Sequence, residues 1–334
     1  MKRKRSSSPG SQHHFEKDLL LGLAVGDALG LPVEYTVRED LEIFPVTGMK
    51  GYGTHQQAPG TWSDNSGLSF CLSESIAHGY DPEDLARRML AWLEEGYWTP
   101  HGKAFDVASS VKKALMRFKE GVHPSQAGGQ AQHHSGNGSL TRVLPLIFHT
   151  QNLSLEERWK VVSEVSSITH GHLRPIFSCF ILTEVARGLI EEATAPEAYV
   201  SGIAQAKEMA NALEMNPAEL RLFERILDGR LADRARFQIH SSGYVLHSLE
   251  AALWSWLTTD SYESAVLTAV NLGADTDSVA SICGGLAGLT YGYREIPMDW
   301  LSQLARKAEI MQLAEWLAES SRGNGGFSQE GMVA

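Results

Sequence analysis

The sequence predicts an all-α fold. Apolar residues recur at helical spacing in almost every segment, and no stretch shows the strict alternation of a half-buried strand. Two short acidic motifs, Ser63-Asp64-Asn65-Ser66 and Asp275-Thr276-Asp277-Ser278, each sit just before a small-residue-rich apolar run, where helices begin. The 334 residues could form one large domain or two ordinary ones. Short connections favour a single compact domain over 15–320, between a disordered basic tail at 1–14 and a flexible C-terminal tail at 321–334.

Along the chain, LLLGLAVGDALGLP is the first helix, broken at Pro32, with Glu34 delivered just beyond it. Its Gly22, Gly26 and Gly30 fall on one face, which implies that another backbone approaches closely there. GTWSDNSGLSF opens the second helix. DPEDLARRMLAWLEEG follows, with Pro82 in the first turn where its missing N–H costs little. Residues 121–139 form a long connection, which in a compact helical domain points to function or disorder. It ends in Gly136-Asn137-Gly138-Ser139, read as the start of a further helix over LTRVLPLIF and as a candidate anion-binding turn. SLEERWKVVSEVSSITH, IFSCFILTEVARGLIEEA, PEAYVSGIAQAKEMANAL, PAELRLFERILDG and YVLHSLEAALWSWLTT are all helical by spacing. His170 lies where one of these helices ends and the next begins. YESAVLTAVNLG precedes the second acidic motif, Gly284, Gly285 and Gly288 follow it, and MDWLSQLARKAEIMQLAEWLAES closes the set.

The acidic motifs carry the chemistry. Ser, Asp and Asn before an apolar run are ordinary N-caps, since their oxygens accept free N–H groups of the first turn. The doubling exceeds what capping requires. Two close carboxylates repel each other, and a cation is the usual remedy. Carboxylates, hydroxyls and amide oxygens without sulfur suit hard cations such as Mg²⁺ and Mn²⁺.

Composition excludes several classes. A net charge of −11 argues against a general nucleic-acid surface. There is no apolar run of membrane-spanning length and no signal-peptide pattern. Three scattered cysteines, Cys71, Cys179 and Cys283, show no disulfide or metal spacing and point to a reducing, cytoplasmic setting.

Taken in order, LLGLAVGDALGLPVEY, GTWSDNSGLSF, GNGSLTRVLPL, SSITHGHLRP and NLGADTDSVASICGGLAGLTYG resemble the ADP-ribosylglycohydrolase family. The resemblance spans roughly residues 18–295. It implies an all-α domain with two Mg²⁺ or Mn²⁺ ions in a cleft. It also implies hydrolysis of the bond between C1 of the distal ribose of ADP-ribose and a protein side chain, arginine favoured, with ADP-ribose as product. Residue by residue, it implies metal ligands at Ser63, Asp64, Asn65, Asp275, Asp277 and Ser278. Glu34, Asp64 and Asn65 become the catalytic positions. Gly136, Asn137, Gly138, Ser139, Leu140 and His170 become the ADP-ribose contacts.

One position departs from the family pattern. Asn65 stands where the family's first motif has a second Asp. An amide oxygen can ligate a cation, but it brings no charge and accepts no proton at neutral pH. A pseudoenzyme, a substitution that traps ligand, and an enzyme tolerant of Asn all remain open, and the intact remainder of the motifs favours an active-family member carrying a substitution. The rival from another class is a protein that binds ADP-ribose without cleaving it, or an immunity protein that docks on and neutralises an ADP-ribosylating toxin.

Overall fold

The computed structural model describes residues 14–323, so the basic tail up to residue 13 and the C-terminal residues 324–334 lie outside it. Among the described residues there are seventeen α-helical segments and no β-strand, only isolated bridges.

Two glycine-bearing helices form the axis. Phe15–Gly30 and Thr276–Tyr291 run antiparallel with their backbones in contact. A Cβ at Gly22 would lie 2.4 Å from the Gly284 carbonyl oxygen, and one at Gly26 only 2.0 Å from that of Ala280. From the opposite side, a Cβ at Gly284 would meet the Gly22 oxygen at 2.3 Å, and one at Gly288 the Asp18 oxygen at 2.0 Å. Each interior glycine costs a helix about 1 kcal/mol. The close approach returns dispersion contact along both helices. The face of glycines read from the sequence is therefore a backbone-to-backbone seam.

The seam fixes the chemistry at one end. The last turn of the first helix meets the first turn of the second, where Thr276 Oγ1 donates to the Gly30 carbonyl at 2.8 Å. Glu34 therefore emerges beside Asp275 and Asp277 although about 240 residues separate them. Helix Asp64–Ala77 packs across this end, and its neighbour Pro82–Glu95 is capped by Asp81, with proline in its first turn.

PAELRLFERILDG divides into Pro217–Leu222 and Glu224–Leu227, and two further sequence expectations change nearer the acidic motifs. Gly136–Ser139 does not open a helix: residues 138–142 form turns, and helix begins only at Leu146, after Pro145. Leu140 N and Thr141 N both donate to Asn137 O, and the buried Arg142 guanidinium takes Gly138 O at 2.6 Å. The loop is thus shaped by one buried cation. The closing helix also divides, into Met298–Gln303 and Lys307–Gly323. Arg306 takes positive φ between them, while Ala305 N donates to Gly60 O and Trp62 Nε1 to Ala305 O. These bonds clamp the chain just ahead of the first acidic motif.

Candidate active site

A buried aspartate missing from the sequence reading organises the first motif. Asp27 lies in the last turn of the first helix with no exposed surface. Its Oδ2 accepts from Ser63 N (3.0 Å), Ser66 N (3.0 Å) and Ser66 Oγ (2.5 Å), and its Oδ1 accepts from Ser63 Oγ (2.8 Å). The free amides at the start of helix Asp64–Ala77 are thus held by a carboxylate from another helix as well as by the Ser63 cap on Asn65 N. The only sequence signal for Asp27 is an acid within the glycine-rich apolar run LAVGDALG.

The second motif is no simple cap. Asp275 precedes helix Thr276–Tyr291 but makes no side-chain capping bond. Its Oδ2 instead accepts from Asn137 Nδ2 at 2.8 Å, tying the Gly-Asn-Gly turn to the acids. Asp277 Oδ2 accepts from Asn65 Nδ2 at 2.9 Å and from Ser63 Oγ at 3.3 Å, whereas its Oδ1 is buried without a hydrogen-bond partner.

These side chains surround one cavity of 230 Å³. Glu34, Asp64, Asn65, Asp275, Asp277 and Ser278 line it together with Gly136, Asn137, Gly138 and His170. Ser63 lies behind the wall, bonded to Asp27. Ser139 and Leu140 are fully buried, with Ser139 Oγ accepting from Ser166 Oγ, so the glycine turn reaches the cavity only as far as Gly138.

Two further residues join the site from irregular loops that carried no sequence signal. His55 Nε2 lies 2.5 Å from Glu34 Oε2 and 3.7 Å from Asp106 Oδ2, and Asp106 itself lines the cavity.

The electrostatics are those of an uncompensated anion cluster. Burial, and then the charges of Asp106, Asp27 and Asp275, push the Asp64 carboxyl up to about 8. Burial followed by neighbouring carboxylates likewise raises Glu34 and Asp277 well above the ordinary range, and burial raises Asp275 despite its hydrogen bonds. Among the described residues, no lysine or arginine pairs with Asp64, Asp275 or Asp277. Ligand oxygens of Glu34, Asp275 and Asp277 all lie within 4.8 Å of one another, and so do ligand atoms of Glu34, His55 and Asp106. The orphaned Asp277 oxygen and the oxygen-rich donor set fit a hard divalent cation.

His170 differs. Its Nδ1 is 2.8 Å from Thr169 Oγ1 and its Nε2 is 3.3 Å from Ser110 Oγ. Burial, and then the Arg142 charge, push it down to about 3, so it faces the cavity as a neutral ring.

An all-α fold around a buried carboxylate cavity, with acids placed so that they could hold a metal ion, is the frame of a metal-dependent hydrolase. The ADP-ribosylglycohydrolase family model matches residues 17–326, and the chain belongs to that family, whose members are ADP-ribosyl glycohydrolases. It is 32% identical over 304 residues to the ADP-ribosylarginine hydrolase Tri1 of Serratia proteamaculans, covering 90% of this chain and 78% of that protein. It is 28% identical over 306 residues to the ADP-ribosyl-[dinitrogen reductase] glycohydrolase of Rhodospirillum rubrum, covering 90% and 93%. A solved structure described as an ADP-ribosylglycohydrolase-related protein complex superposes with a TM-score of 0.75 at 31% identity, covering 92% of this chain and 99% of that one. No helix among the described residues is long and apolar enough to cross a membrane.

Proposed function

We propose that this chain removes ADP-ribose from modified arginine side chains of proteins, using Mg²⁺ or Mn²⁺. The observation that carries the reading is that the carboxylates of both acidic motifs, the Gly136–Gly138 turn and His170 line one cavity. Names of relatives that act on ADP-ribosylarginine and on ADP-ribosylated dinitrogen reductase support the substrate class.

Asp64, Asn65, Asp275, Asp277 and Ser278 would hold two cations, with Ser63 behind them and Glu34 among them, a carboxylate oxygen of it lying within 4.8 Å of those of Asp275 and Asp277. Bound there, the cations supply positive charge that orients the 2- and 3-hydroxyls of the distal ribose and makes a water more acidic. Glu34, held by His55, receives the proton of the attacking water. The surrounding carboxylates favour positive charge developing on the ribose ring. An arginine leaving group is already a protonated guanidinium at neutral pH, leaves as the neutral guanidine when the C1–N bond breaks, and so needs no separate acid. Asn137 orients Asp275, and the Gly136–Gly138 backbone with the neutral His170 ring walls the pyrophosphate.

A second reading, an ADP-ribose-binding protein with slow turnover, is favoured by one observation. Asn65 contributes an amide N–H to Asp277 where a carboxylate would add charge. Docking on an ADP-ribosylating toxin is the protein-partner form of that reading. The test is release of free ADP-ribose from an ADP-ribosyl-arginine peptide. Release of many equivalents of ADP-ribose per protein, lost with EDTA, supports hydrolysis, and binding without release supports the second reading.

A further inference from the structure

A second, larger cavity of 760 Å³ opens from the acid end of the first. The two share Glu34, Tyr35, Gly243 and Asp275. The second does not touch Gly136, Gly138 or His170. A molecule seated with its distal ribose over the shared carboxylates of Glu34 and Asp275 places the group attached at C1 of that ribose beside this second cavity.

The groove is constructed, not a crease between loose loops. One guanidinium fastens its walls: Arg38 Nε donates to Leu272 O (2.8 Å), Nη1 to Arg236 O (3.0 Å) and Nη2 to Ile239 O (2.6 Å). Its floor is pinned to the acid cluster by Tyr35 N to Ala274 O (2.7 Å), Ala274 N to Thr36 O (2.8 Å) and Asp275 N to Ser241 O (2.9 Å). Large apolar side chains stand on this rigid frame in water: Phe237 is 81% exposed, Tyr35 66% and Val37 55%. Carboxylates of Glu34 and Asp275 close the inner end, and Glu39 lies on the wall. An aromatic rim over an acidic inner end suits an extended chain that presents a guanidinium.

We propose that this second cavity is the acceptor groove, which takes the polypeptide segment carrying the modified arginine while the distal ribose and pyrophosphate of ADP-ribose occupy the first cavity. The proposal rests on the functional reading above and adds where the protein part of the substrate lies. Phe237 is its apolar anchor.

The test compares wild type with Phe237→Ala on two Mg²⁺-loaded reactions: cleavage of free ADP-ribosyl-arginine, and of a short peptide bearing the same group. The proposal expects the KM for the peptide to rise about tenfold, as for loss of an interface anchor. Both constants for free ADP-ribosyl-arginine should stay unchanged. An equal loss on both substrates would put the adenosine in the groove and overturn the proposal, and so would no loss on either. If wild type cleaves neither substrate, the functional reading fails by itself. The groove is then tested by affinity, with Phe237→Ala expected to weaken the intact peptide but not free ADP-ribose, and any other pattern against it. Because Phe237 is exposed, the variant keeps the fold.

Discussion

Asn65 Nδ2 donates to Asp277 Oδ2 at 2.9 Å, linking the two acidic motifs across 212 residues of chain. The neutral amide quiets one oxygen of a carboxylate whose other oxygen is buried without a partner. It does part of the work of a cation. An aspartate at this position would add charge for a bound metal, and in the metal-free protein it would face Asp277 as a second acid.

Asn65→Asp also adds a second proton acceptor to the cavity beside Glu34, so it is expected to speed release of ADP-ribose by roughly 10²–10⁴, the range for a positioned acid–base group. It should also tighten Mg²⁺ and lower the stability of the EDTA-treated protein by about 1–3 kcal/mol, the cost of losing a partner in a buried pair. Initial rates across a Mg²⁺ titration, with melting curves in EDTA, check all three. Equal rates with equal Mg²⁺ dependence would show Asn65 to be a tolerated ligand.

Asp27→Ala should destabilise the fold by about 3 kcal/mol, since it leaves the buried Ser63 and Ser66 donors unpaired. Asp27→Asn keeps the shape and should lose less. Urea denaturation of both variants measures the difference; equal losses would mean that shape contributes nothing and the charged acceptor everything, and an unchanged Asp27→Asn would mean that the carboxylate is only filling space.

Gly26→Ala drives a methyl to within 2.0 Å of the Ala280 carbonyl, so the two axial helices must separate. The expected loss is about 1–3 kcal/mol, as for other overpacked interiors. Metal affinity should fall with it, because the same seam holds Glu34 against Asp277. Thermal melting with and without Mg²⁺ reads both effects; a stability loss with unchanged metal affinity would uncouple seam from site.

Gly138→Leu should weaken free ADP-ribose about tenfold, or 1.4 kcal/mol. A Cβ there already comes within 3.1 Å of the His170 ring, and a larger side chain would fill the cavity wall. Calorimetric titration with ADP-ribose checks it, and unchanged affinity would remove the glycine turn from the binding surface.

Much of this was legible in the sequence because periodicity and composition carry it. Helical spacing announced the all-α fold, and glycines four apart announced a close backbone partner. Doubled oxygens before small-residue runs announced the acid cluster, because a cap alone does not call for Asp275 and Asp277 together. What stayed hidden depends on tertiary placement. His55 and Asp106 stand singly in irregular loops, where no period marks them, and they meet Glu34 only through the fold. Asp27 looks like one polar residue in an apolar helix until Ser63 and Ser66 are seen to close on it. The turn at Gly136–Ser139 resembles a helix start because glycine and serine often precede one. The Arg142 guanidinium and Pro145 decide otherwise.

The central claim is tested most directly by following free ADP-ribose released from an ADP-ribosyl-arginine peptide, and from the matching ADP-ribosyl-serine peptide, by wild type and Asn65→Asp with Mg²⁺ or with EDTA. The account predicts release from the arginine peptide in preference to the serine peptide, faster for Asn65→Asp, and abolished by EDTA. No release by either form from either peptide, or release that survives EDTA unchanged, would contradict it.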